Sequence, residues 1–266
     1  YRHRIPTPRL SNPWATKLGA GIHDISFSVP TGSIVGLVGP NGAGKTTMLH
    51  LLAGLRSPDS GRLRFAENEW KDLKNEHMAR KNIGFMPDNV RWQGSSTPAR
   101  VLHRLSLMRD EEVGDLIELV GLKSRCNESL DSLSAGMRQR LSLATAMIGS
   151  PSILLLDEPF TGLDPVAQKA LQKLLLQLSE RGTTIIVSSH LLLELEAIVD
   201  HVVLLHQGQV IIDGELNSVR KDLGLDRRLL IGGVDGDPTE LLKEFGEVVE
   251  YSAEDGWSAT LERDEG

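Results

Sequence analysis

The segment from Gly39 to Thr46 contains the residue types that hold the phosphates of a nucleotide. It reads Gly-Pro-Asn-Gly-Ala-Gly-Lys-Thr and matches the pattern G-x-x-x-x-G-K-[ST]. In this pattern, backbone N–H groups surround the phosphates, the lysine reaches the β- and γ-phosphates, and the hydroxyl binds Mg²⁺. Lys45 would supply the ammonium group and Thr46 the hydroxyl. The predicted nucleotide-binding residues of this loop are Gly39, Pro40, Asn41, Gly42, Ala43, Gly44, Lys45, Thr46 and Thr47.

The flanks of this loop predict the strand and the helix that the pattern requires. Residues 33–38 form a short apolar, β-branched run, and Leu49, Leu52 and Ala53 recur at helical spacing before Gly54. A strand, a loop and a helix in this order aim the loop amides and the helix N-terminus at one point, which favours a polyanion there. The alternative, a glycine-rich turn with a surface lysine, is disfavoured by the complete match.

Two adjacent carboxylates, Asp157 and Glu158, follow a second apolar run at residues 152–156. Such a run predicts a buried strand, and parallel sheets bind ligands at the carboxyl ends of their strands. Phosphoryl transfer needs Mg²⁺, an ordered water and a positioned carboxylate. One carboxylate facing the metal and one facing the water would supply these parts. A solvated acidic turn is the alternative interpretation of the pair.

The remaining hydrophobic pattern predicts the elements that must position these groups. Predicted strands lie at residues 22–29, 62–65, 83–86, 183–187, 202–205 and 210–212, and predicted helices lie within 97–126 and at 134–148, 165–181 and 191–200. Ser134 and Asp164 are the expected N-caps of two helices. After Lys221 the pattern predicts a strand at 228–234, a helix at 238–245 and a hairpin from 247–251 and 257–261.

Composition and charge narrow the class of protein. The chain has 266 residues, of which 40% are hydrophobic and 24% charged, as in an ordinary globular protein. The net charge of −7 argues against a broad nucleic-acid surface, and a single cysteine, Cys126, excludes an intrachain disulfide. No apolar run reaches the roughly 18 residues that span a bilayer, so a membrane role would require a partner. Because the numbering starts at Tyr1 rather than Met, we expect the chain to be a trimmed or renumbered fragment.

Trp14 precedes the predicted strand at residues 22–29. If that strand turns directly into the strand of the phosphate loop, Trp14 comes beside the nucleotide. Its ring would then stack on adenine, a type of contact that contributes about 1 to 3 kcal/mol per base. A tryptophan that packs only against its own loop is the alternative. We predict Trp14 as an ATP-binding residue.

Several motifs occur in a fixed order along the chain. After the phosphate loop come Leu-Ser-Ala-Gly-Met at 133–137, Ile-Leu-Leu-Leu-Asp-Glu-Pro at 153–159, Gly-Leu-Asp-Pro at 162–165, and His190 at the end of a predicted strand. Over about residues 12–220, this set resembles the ATP-binding subunits of ABC transporters, most closely the single-domain ATPases of bacterial exporters.

The resemblance implies an α/β fold with a P-loop NTPase core. Its mostly parallel sheet is accompanied by an antiparallel β subdomain, an inserted α-helical subdomain and a small C-terminal α+β appendage. The resemblance implies an ATP-binding domain (12–220) with its helical subdomain at about 90–150. The basic, proline-containing start predicts a flexible N-terminal arm (1–11), and the change of pattern after Lys221 predicts a C-terminal accessory unit (221–266).

The resemblance also assigns catalytic roles to three residues. It implies that Asp157 holds Mg²⁺ through the metal's bound waters and that Glu158 is the general base for the attacking water. His190 resembles the family's switch histidine, which contacts the γ-phosphate and orients the water. At the end of a strand, a histidine is otherwise a common capping residue.

A second set of residues is implied to act across a dimer interface. Ser134, Ala135 and Gly136 match the segment that binds the γ-phosphate of ATP held by a second subunit. The working unit is then a head-to-tail dimer with Asp164 at its interface. Ala135 stands where the family usually has a second glycine, and its methyl group makes close approach to the phosphate less favourable.

Asp88 stands where the family normally has a glutamine that touches Mg²⁺ and couples the site to the membrane partner. A charged carboxylate about 4 Å from a phosphate would be repelled by roughly 4 kcal/mol at an effective dielectric near 20. Asp88 must therefore bind the metal or turn away when ATP arrives. We expect it to bind the metal, together with Thr46 and Asp157.

The residues and the resemblance together predict an ATPase that uses ATP and Mg²⁺ and drives a separate transmembrane permease subunit, for export. The expected partners are this permease and a second ATP-binding subunit in a homo- or heterodimer, without nucleic acid. Membrane contact through the permease alone would place the protein in the cytoplasm, on the inner face of the cell membrane.

Two other functions are compatible with the motifs. The first is a nucleotide-sensing ABC module with little turnover, which Asp88 and Ala135 favour and Glu158 and His190 oppose. The second is a soluble ABC-type ATPase acting on DNA or ribosomes. That function predicts a coiled-coil insertion or a duplicated cassette, and the sequence has one phosphate loop and no heptad run.

Overall fold

The chain divides into two compact units, Tyr1–Gly214 and Glu215–Gly266. The structure is a computed structural model. It describes residues 2–6, 16–61, 63–64, 70–71, 82–88, 90–222, 228–231, 246–252 and 256–261.

The first unit is built on a six-stranded sheet. Its strands are β3 (Ile34–Val38), β6 (Ile83–Met86), β7 (Ile153–Leu156), β8 (Thr184–Ser189), β9 (His201–His206) and β10 (Gln209–Glu215). The strand order is β10-β9-β3-β8-β7-β6. β3 pairs in parallel with both β8 and β9, and β7 pairs in parallel with both β6 and β8. The predicted mostly parallel sheet is confirmed.

The central strands are buried along their whole length, which explains the apolar runs Ile34–Val38 and Ile185–Val187. Every residue of β3 and β8 is buried. A hydrophobic core forms between this sheet and the helix that follows the phosphate loop. Its buried members include Val35, Leu37, Met48, Leu49, Leu155 and Ile186.

Seven α-helices lie in the described part of the chain. They are α1 (Lys45–Leu52), α2 (Pro98–Arg109), α3 (Leu116–Leu119), α4 (Ala135–Ala146), α5 (Pro165–Glu180), α6 (Leu192–Leu195) and α7 (Leu216–Asp222). Both predicted N-caps are confirmed. The Ser134 hydroxyl accepts a hydrogen bond from the Met137 N–H, and the Asp164 carboxylate accepts one from the Ala167 N–H.

The predicted helix at residues 191–200 is much shorter than expected, because only Leu192–Leu195 is helical. Asp200 gives the physical reason. Its carboxylate accepts a hydrogen bond from the Ile34 N–H, and its own N–H donates to the Ile34 carbonyl. These bonds hold Asp200 against the start of β3, where the chain must already be extended to enter β9.

The predicted strand at residues 22–29 is wrong. These residues belong to no strand, and the strand lies earlier, at β2 (Thr16–Gly21). The alternation is nevertheless real: Ile25, Phe27 and Val29 are half-buried against the core, while Ser26 and Ser28 are exposed. An extended segment with one buried side produces this pattern without a neighbouring strand to pair with.

The structure describes residues 2–6 of the predicted flexible arm (1–11) as a strand, while the flexibility of the arm stays a prediction. Arg2–Pro6 forms β1, which pairs antiparallel with β2. The basic and proline-containing sequence has no alternating hydrophobicity, but backbone hydrogen bonds do not require one. Pro6 stands at the end of the strand, a position that proline tolerates.

The second unit contains α7 and a three-stranded antiparallel sheet. The strands are β11 (Arg228–Ile231), β12 (Gly246–Ser252) and β13 (Gly256–Leu261), in the order β11-β13-β12. The predicted hairpin is confirmed, and the predicted helix at 238–245 lies outside the described residues.

The remaining short strands, β4 (Leu63–Arg64) and β5 (Trp70–Lys71), form an antiparallel pair. Within the described residues, no helix has the length and apolar character needed to cross a membrane.

The close packing of α4 on β6 generates a testable prediction. A Cβ atom on Gly84 would lie 2.1 Å from the Ala146 carbonyl oxygen and 2.7 Å from the Leu154 Cδ2 atom. We expect Gly84→Ala to lower the free energy of unfolding by about 3 kcal/mol, because the nearest obstacle is backbone and the helix must move to admit the methyl group. Denaturant unfolding measures this loss.

Gly114→Ala is the control for the Gly84 substitution. A Cβ atom there meets open space, but the φ angle of 52° disfavours alanine, so we expect a loss of about 1 kcal/mol. Equal stability of the two variants would contradict the close approach of α4 to β6.

Candidate active site

Three parallel strands bring the predicted site residues to one edge of the sheet. Val38 of β3 lies opposite Ser189 of β8, and Leu156 of β7 lies opposite Val187 of β8. The phosphate loop, the two carboxylates and the histidine follow the ends of these three strands. They therefore all begin at the carboxyl edge, where parallel sheets bind their ligands.

The backbone of the phosphate loop lies too close to its neighbours for side chains at two of its glycines. A Cβ atom on Gly39 would lie 2.2 Å from the Leu205 carbonyl oxygen, and one on Gly44, whose φ is 111°, would lie 2.5 Å from the Ile22 Cγ2 atom. The Ala43 carbonyl also accepts a hydrogen bond from the Gly208 N–H at 2.9 Å. The loop is thus fixed against β9 and the segment at residue 22 before α1 begins.

Lys45 is a buried cation with three oxygen partners. Its Nζ atom donates to the Gly39 carbonyl at 2.6 Å and to the Pro40 carbonyl at 3.4 Å, and it forms an ion pair with Glu158 Oε1 at 3.3 Å. Only 5% of the residue is exposed. The ammonium group is therefore held inside the curve of the loop, beside the exposed Thr46 at the N-terminus of α1.

Asp157 is a buried carboxylate whose orientation is fixed by hydrogen bonds. Its Oδ1 atom accepts a hydrogen bond from the Ser188 hydroxyl at 2.7 Å, and its N–H donates to the Met86 carbonyl at 2.9 Å. The residue is 1% exposed. A buried carboxylate is costly unless it is hydrogen-bonded or paired with a cation, and Ser188 meets part of this requirement.

Glu158 connects Lys45 with His190. Its backbone has a φ of 47°, in the left-handed region, and this conformation directs the side chain of Glu158 differently from that of the preceding aspartate. Its Oε2 atom lies 2.9 Å from His190 Nδ1, while its Oε1 atom pairs with Lys45. The three predicted residues thus form one continuous network at the sheet edge.

The oxygen groups at this edge fit a magnesium ion that shares its ligands with phosphates and water. Mg²⁺ is usually bound through one or two carboxylates, a substrate phosphate and several waters, not by a cage of protein side chains. The Thr46 hydroxyl and the Asp157 carboxylate match this donor set. Within the described residues, no cluster of three or more His, Cys, Asp or Glu side chains could hold a metal.

Asp88 follows a strand that ends at the same edge of the sheet as the strand before Asp157. It is an exposed turn residue that follows β6 by two positions. Met86, the last residue of β6, lies opposite Leu156 of β7. The predicted proximity of Asp88 to the carboxylate edge agrees with this placement, while its binding to the metal stays a prediction.

The predicted interface residues lie on the surface of the chain. Ser134, Ala135 and Asp164 are exposed. Gly136 is half-buried, and a Cβ atom there would lie 3.0 Å from the Ala167 Cβ atom, so glycine allows the start of α4 to approach α5 closely. Their contact with a second subunit stays a prediction.

The structure reveals two polar residues to which the sequence analysis gave no role. The Gln139 Nε2 atom donates to the Pro159 carbonyl at 2.7 Å and so connects α4 to the residue after Glu158. Ser188 contacts both carboxylate residues. Neither carries a local sequence signal that separates it from an ordinary surface or strand residue. Trp14, a predicted ATP-binding residue, lies outside the described residues.

His50 is a neutral packing residue of α1. Burial lowers the pKa of its imidazole, the nearby charge of Arg56 lowers it further, and Asp157 opposes both effects. The ring meets Phe85 edge to face, with the ring centroids 5.4 Å apart. A neutral imidazole packed in this way contributes to the core beneath the loop and adds no charge to the site.

Comparison with known proteins identifies the family. A family model described as "ABC transporter" matches residues 22–161, more than half of the chain. The chain is 34% identical over 254 residues to the Nod factor export ATP-binding protein I of Burkholderia orbicola (strain AU 1054), and the match covers 88% of this chain and 79% of that protein.

Two solved structures share the fold. The structure of an ATP-binding subunit of an ABC transporter is 26% identical, with a TM-score of 0.66, and the match covers 84% of this chain and 92% of that one. The dimeric structure of a bacterial ABC transporter cassette is 24% identical, with a TM-score of 0.62, and the match covers 73% and 90%. With the phosphate loop and the two adjacent carboxylates on the same sheet edge, the chain belongs to the ABC transporter family as an ATP-binding subunit, and its reaction is the hydrolysis of ATP.

Proposed function

We propose that this subunit couples ATP hydrolysis to a separate transmembrane permease and that the transport is export. The direction is supported by the similarity to the Nod factor export protein, which extends over 88% of this chain. In this proposal the membrane is contacted only through the permease, at its inner face, and specificity for the cargo resides in the permease.

The observation that carries the proposed mechanism is the network of Lys45, Glu158 and His190. Lys45 holds Glu158 Oε1 at 3.3 Å, and the imidazole of His190 holds Oε2 at 2.9 Å. When the phosphates of ATP enter the loop, the Lys45 ammonium exchanges the carboxylate for a phosphate oxygen. Glu158 Oε1 then accepts the proton of the attacking water while His190 maintains the orientation of the carboxylate.

Thr46 and Asp157 are the proposed protein ligands on the magnesium side of the site. When bound, Mg²⁺ neutralises charge on the phosphates during transfer. The exposed Thr46 hydroxyl at the start of α1 and the buried Asp157 carboxylate at the end of β7 would hold the ion. We assign Asp88 to the same side of the site and to the coupling with the permease.

We propose that two subunits assemble head to tail, so that Ser134 of one faces the phosphate loop of the other. The N-terminus of α4 presents unpaired amides and a positive dipole end, which favour an anion. Ser134 and Ala135 are exposed there. The methyl group of Ala135 therefore lies at the surface of its own chain. The dimeric structure of a bacterial ABC transporter cassette supports the pairing of two subunits.

Removal of the proposed general base tests the mechanism. We expect Glu158→Gln to lower the rate of phosphate release by about 10² to 10⁴-fold, because glutamine cannot accept the proton of the water. ATP binding should survive in this variant and be lost in Lys45→Ala. Glu180→Gln, on the exposed end of α5, is the matched control and should retain full turnover. Equal turnover of Glu158→Gln and the unmodified protein would contradict the assignment of Glu158 as the general base.

The head-to-tail assembly predicts that two inactive variants restore activity when mixed. Lys45→Ala destroys the loop side of a site, and Ser134→Glu places a negative charge against the phosphate on the other side. In a mixed dimer, one site receives both defects and the other receives none. Phosphate release should therefore appear on mixing although each variant alone lacks it.

The control for the mixing experiment is Ser129→Glu, which alters a half-buried serine that caps another helical turn. This variant should be active without a partner. Absence of any recovery in the mixture of Lys45→Ala and Ser134→Glu would contradict a shared site.

Purification from membranes tests the partner. We expect the tagged protein to copurify with a multi-spanning membrane protein when the detergent preserves the complex. Recovery only with nucleic acid or ribosomes would instead support the soluble type of ABC ATPase. A measurement of cargo movement in membrane vesicles then tests whether the direction is export.

A further inference from the structure

The Ser188 hydroxyl contacts both carboxylate residues of the site. It donates a hydrogen bond to Asp157 Oδ1 at 2.7 Å and accepts one from the Glu158 N–H at 2.9 Å. Ser188 lies on β8, between β3 and β7 in the sheet, and it is 0% exposed. Water therefore cannot replace the hydroxyl in these two bonds without opening the sheet.

We propose that Ser188 is a positioning residue that orients the magnesium ligand and the general base as one unit. This inference rests on the roles proposed above for Asp157 and Glu158. A hydroxyl is suited to the position because it donates one hydrogen bond and accepts others through the same atom. Alanine can do neither, and a carboxylate could not donate to Asp157.

The bond to Asp157 fixes the plane of its carboxylate. With Oδ1 held at 2.7 Å by Ser188, rotation about the last bond of the side chain is restricted, so the direction of the second oxygen is set as well. Partners of this kind, which hold a metal ligand without touching the metal, change metal affinity by about 10 to 100-fold when they are removed.

The bond to Glu158 stabilises an unfavourable backbone conformation. A non-glycine residue with φ near 47° persists only where its surroundings hold it. The Ser188 hydroxyl accepts a hydrogen bond from the N–H of Glu158, the residue that follows the buried Asp157. Loss of the hydroxyl would leave this N–H without its partner and loosen the turn that directs Glu158 towards Lys45 and His190.

The neighbouring Ser189 provides a matched control on the same strand. It is also 0% exposed, but its hydroxyl donates to Glu194 Oε2 at 2.6 Å and accepts from the Leu191 N–H at 3.0 Å. The side chains of successive strand residues point to opposite faces, and the Ser189 hydroxyl accordingly forms its hydrogen bonds at the start of α6. Its removal deletes a buried hydroxyl without touching either bond made by Ser188.

The test measures how Mg²⁺ promotes the binding of a fluorescent, non-hydrolysable ATP analogue, which requires no catalysis. For Ser188→Ala we expect the half-saturating Mg²⁺ concentration to rise by about 10 to 100-fold, with unchanged affinity for the analogue in EDTA. Ser188→Thr keeps the hydroxyl and should restore the value of the unmodified protein. Ser189→Ala should retain that value throughout.

An unchanged Mg²⁺ dependence in folded Ser188→Ala would overturn the inference, whatever the melting temperature of the variant. Ser188→Cys, which nearly conserves the volume of the side chain, answers the same question if the alanine variant does not fold. Asp157→Asn separates the two proposals. A shift with Asp157→Asn but none with Ser188→Ala removes only the role of Ser188, while no shift with either variant removes the proposed magnesium ligand itself.

Discussion

The register of β3, β7 and β8 is the constraint on which the site depends. Asp157 follows directly after Leu156, which lies opposite Val187, and its carboxylate bonds to Ser188 one position further along β8. A slip of one residue between these strands would turn each side chain to the opposite face of the sheet. Both faces of β3 and β8 are buried, so a slip would place every side chain, including the polar Ser188, against packing partners of the wrong size or polarity.

This edge also concentrates buried charge, and the charges stabilise one another. Lys45 is 5% exposed and Asp157 is 1% exposed. At 3.3 Å, the attraction between Lys45 and Glu158 is on the order of 5 kcal/mol at an effective dielectric near 20, before desolvation is subtracted. The carbonyls of Gly39 and Pro40 add hydrogen bonds to the same ammonium group. The loop carbonyls, Lys45 and Glu158 therefore hold one another in place. Without the others, each would lack a hydrogen-bond or ion-pair partner.

The sequence predicted the parts of the structure that carry local signals. The loop, the buried strands around it and the caps at Ser134 and Asp164 depend on neighbouring residues and were found. The segment at residues 22–29 was misassigned because alternation reports a buried side and not a partner strand. Ser188 and Gln139 could not be recognised, since their contacts join residues 31 and 20 positions apart in the sequence. Such contacts become visible only when the sheet and helices are placed in space.

The position of α4 is set by the same edge of the sheet. Gln139 Nε2 donates a hydrogen bond to the carbonyl of Pro159 at 2.7 Å, directly after Glu158. Further along the helix, the Ser142 hydroxyl accepts a hydrogen bond from Trp92 Nε1 at 2.8 Å, in the segment that follows Asp88. Ser134 precedes Gln139 by five residues, about 7.5 Å along the helix axis. A rigid-body movement of α4 would therefore disturb its hydrogen bond to the residue after Glu158. The exposed N-terminus of α4, which would meet a second subunit in the proposed dimer, is thus connected to the edge of the sheet that carries the two carboxylates.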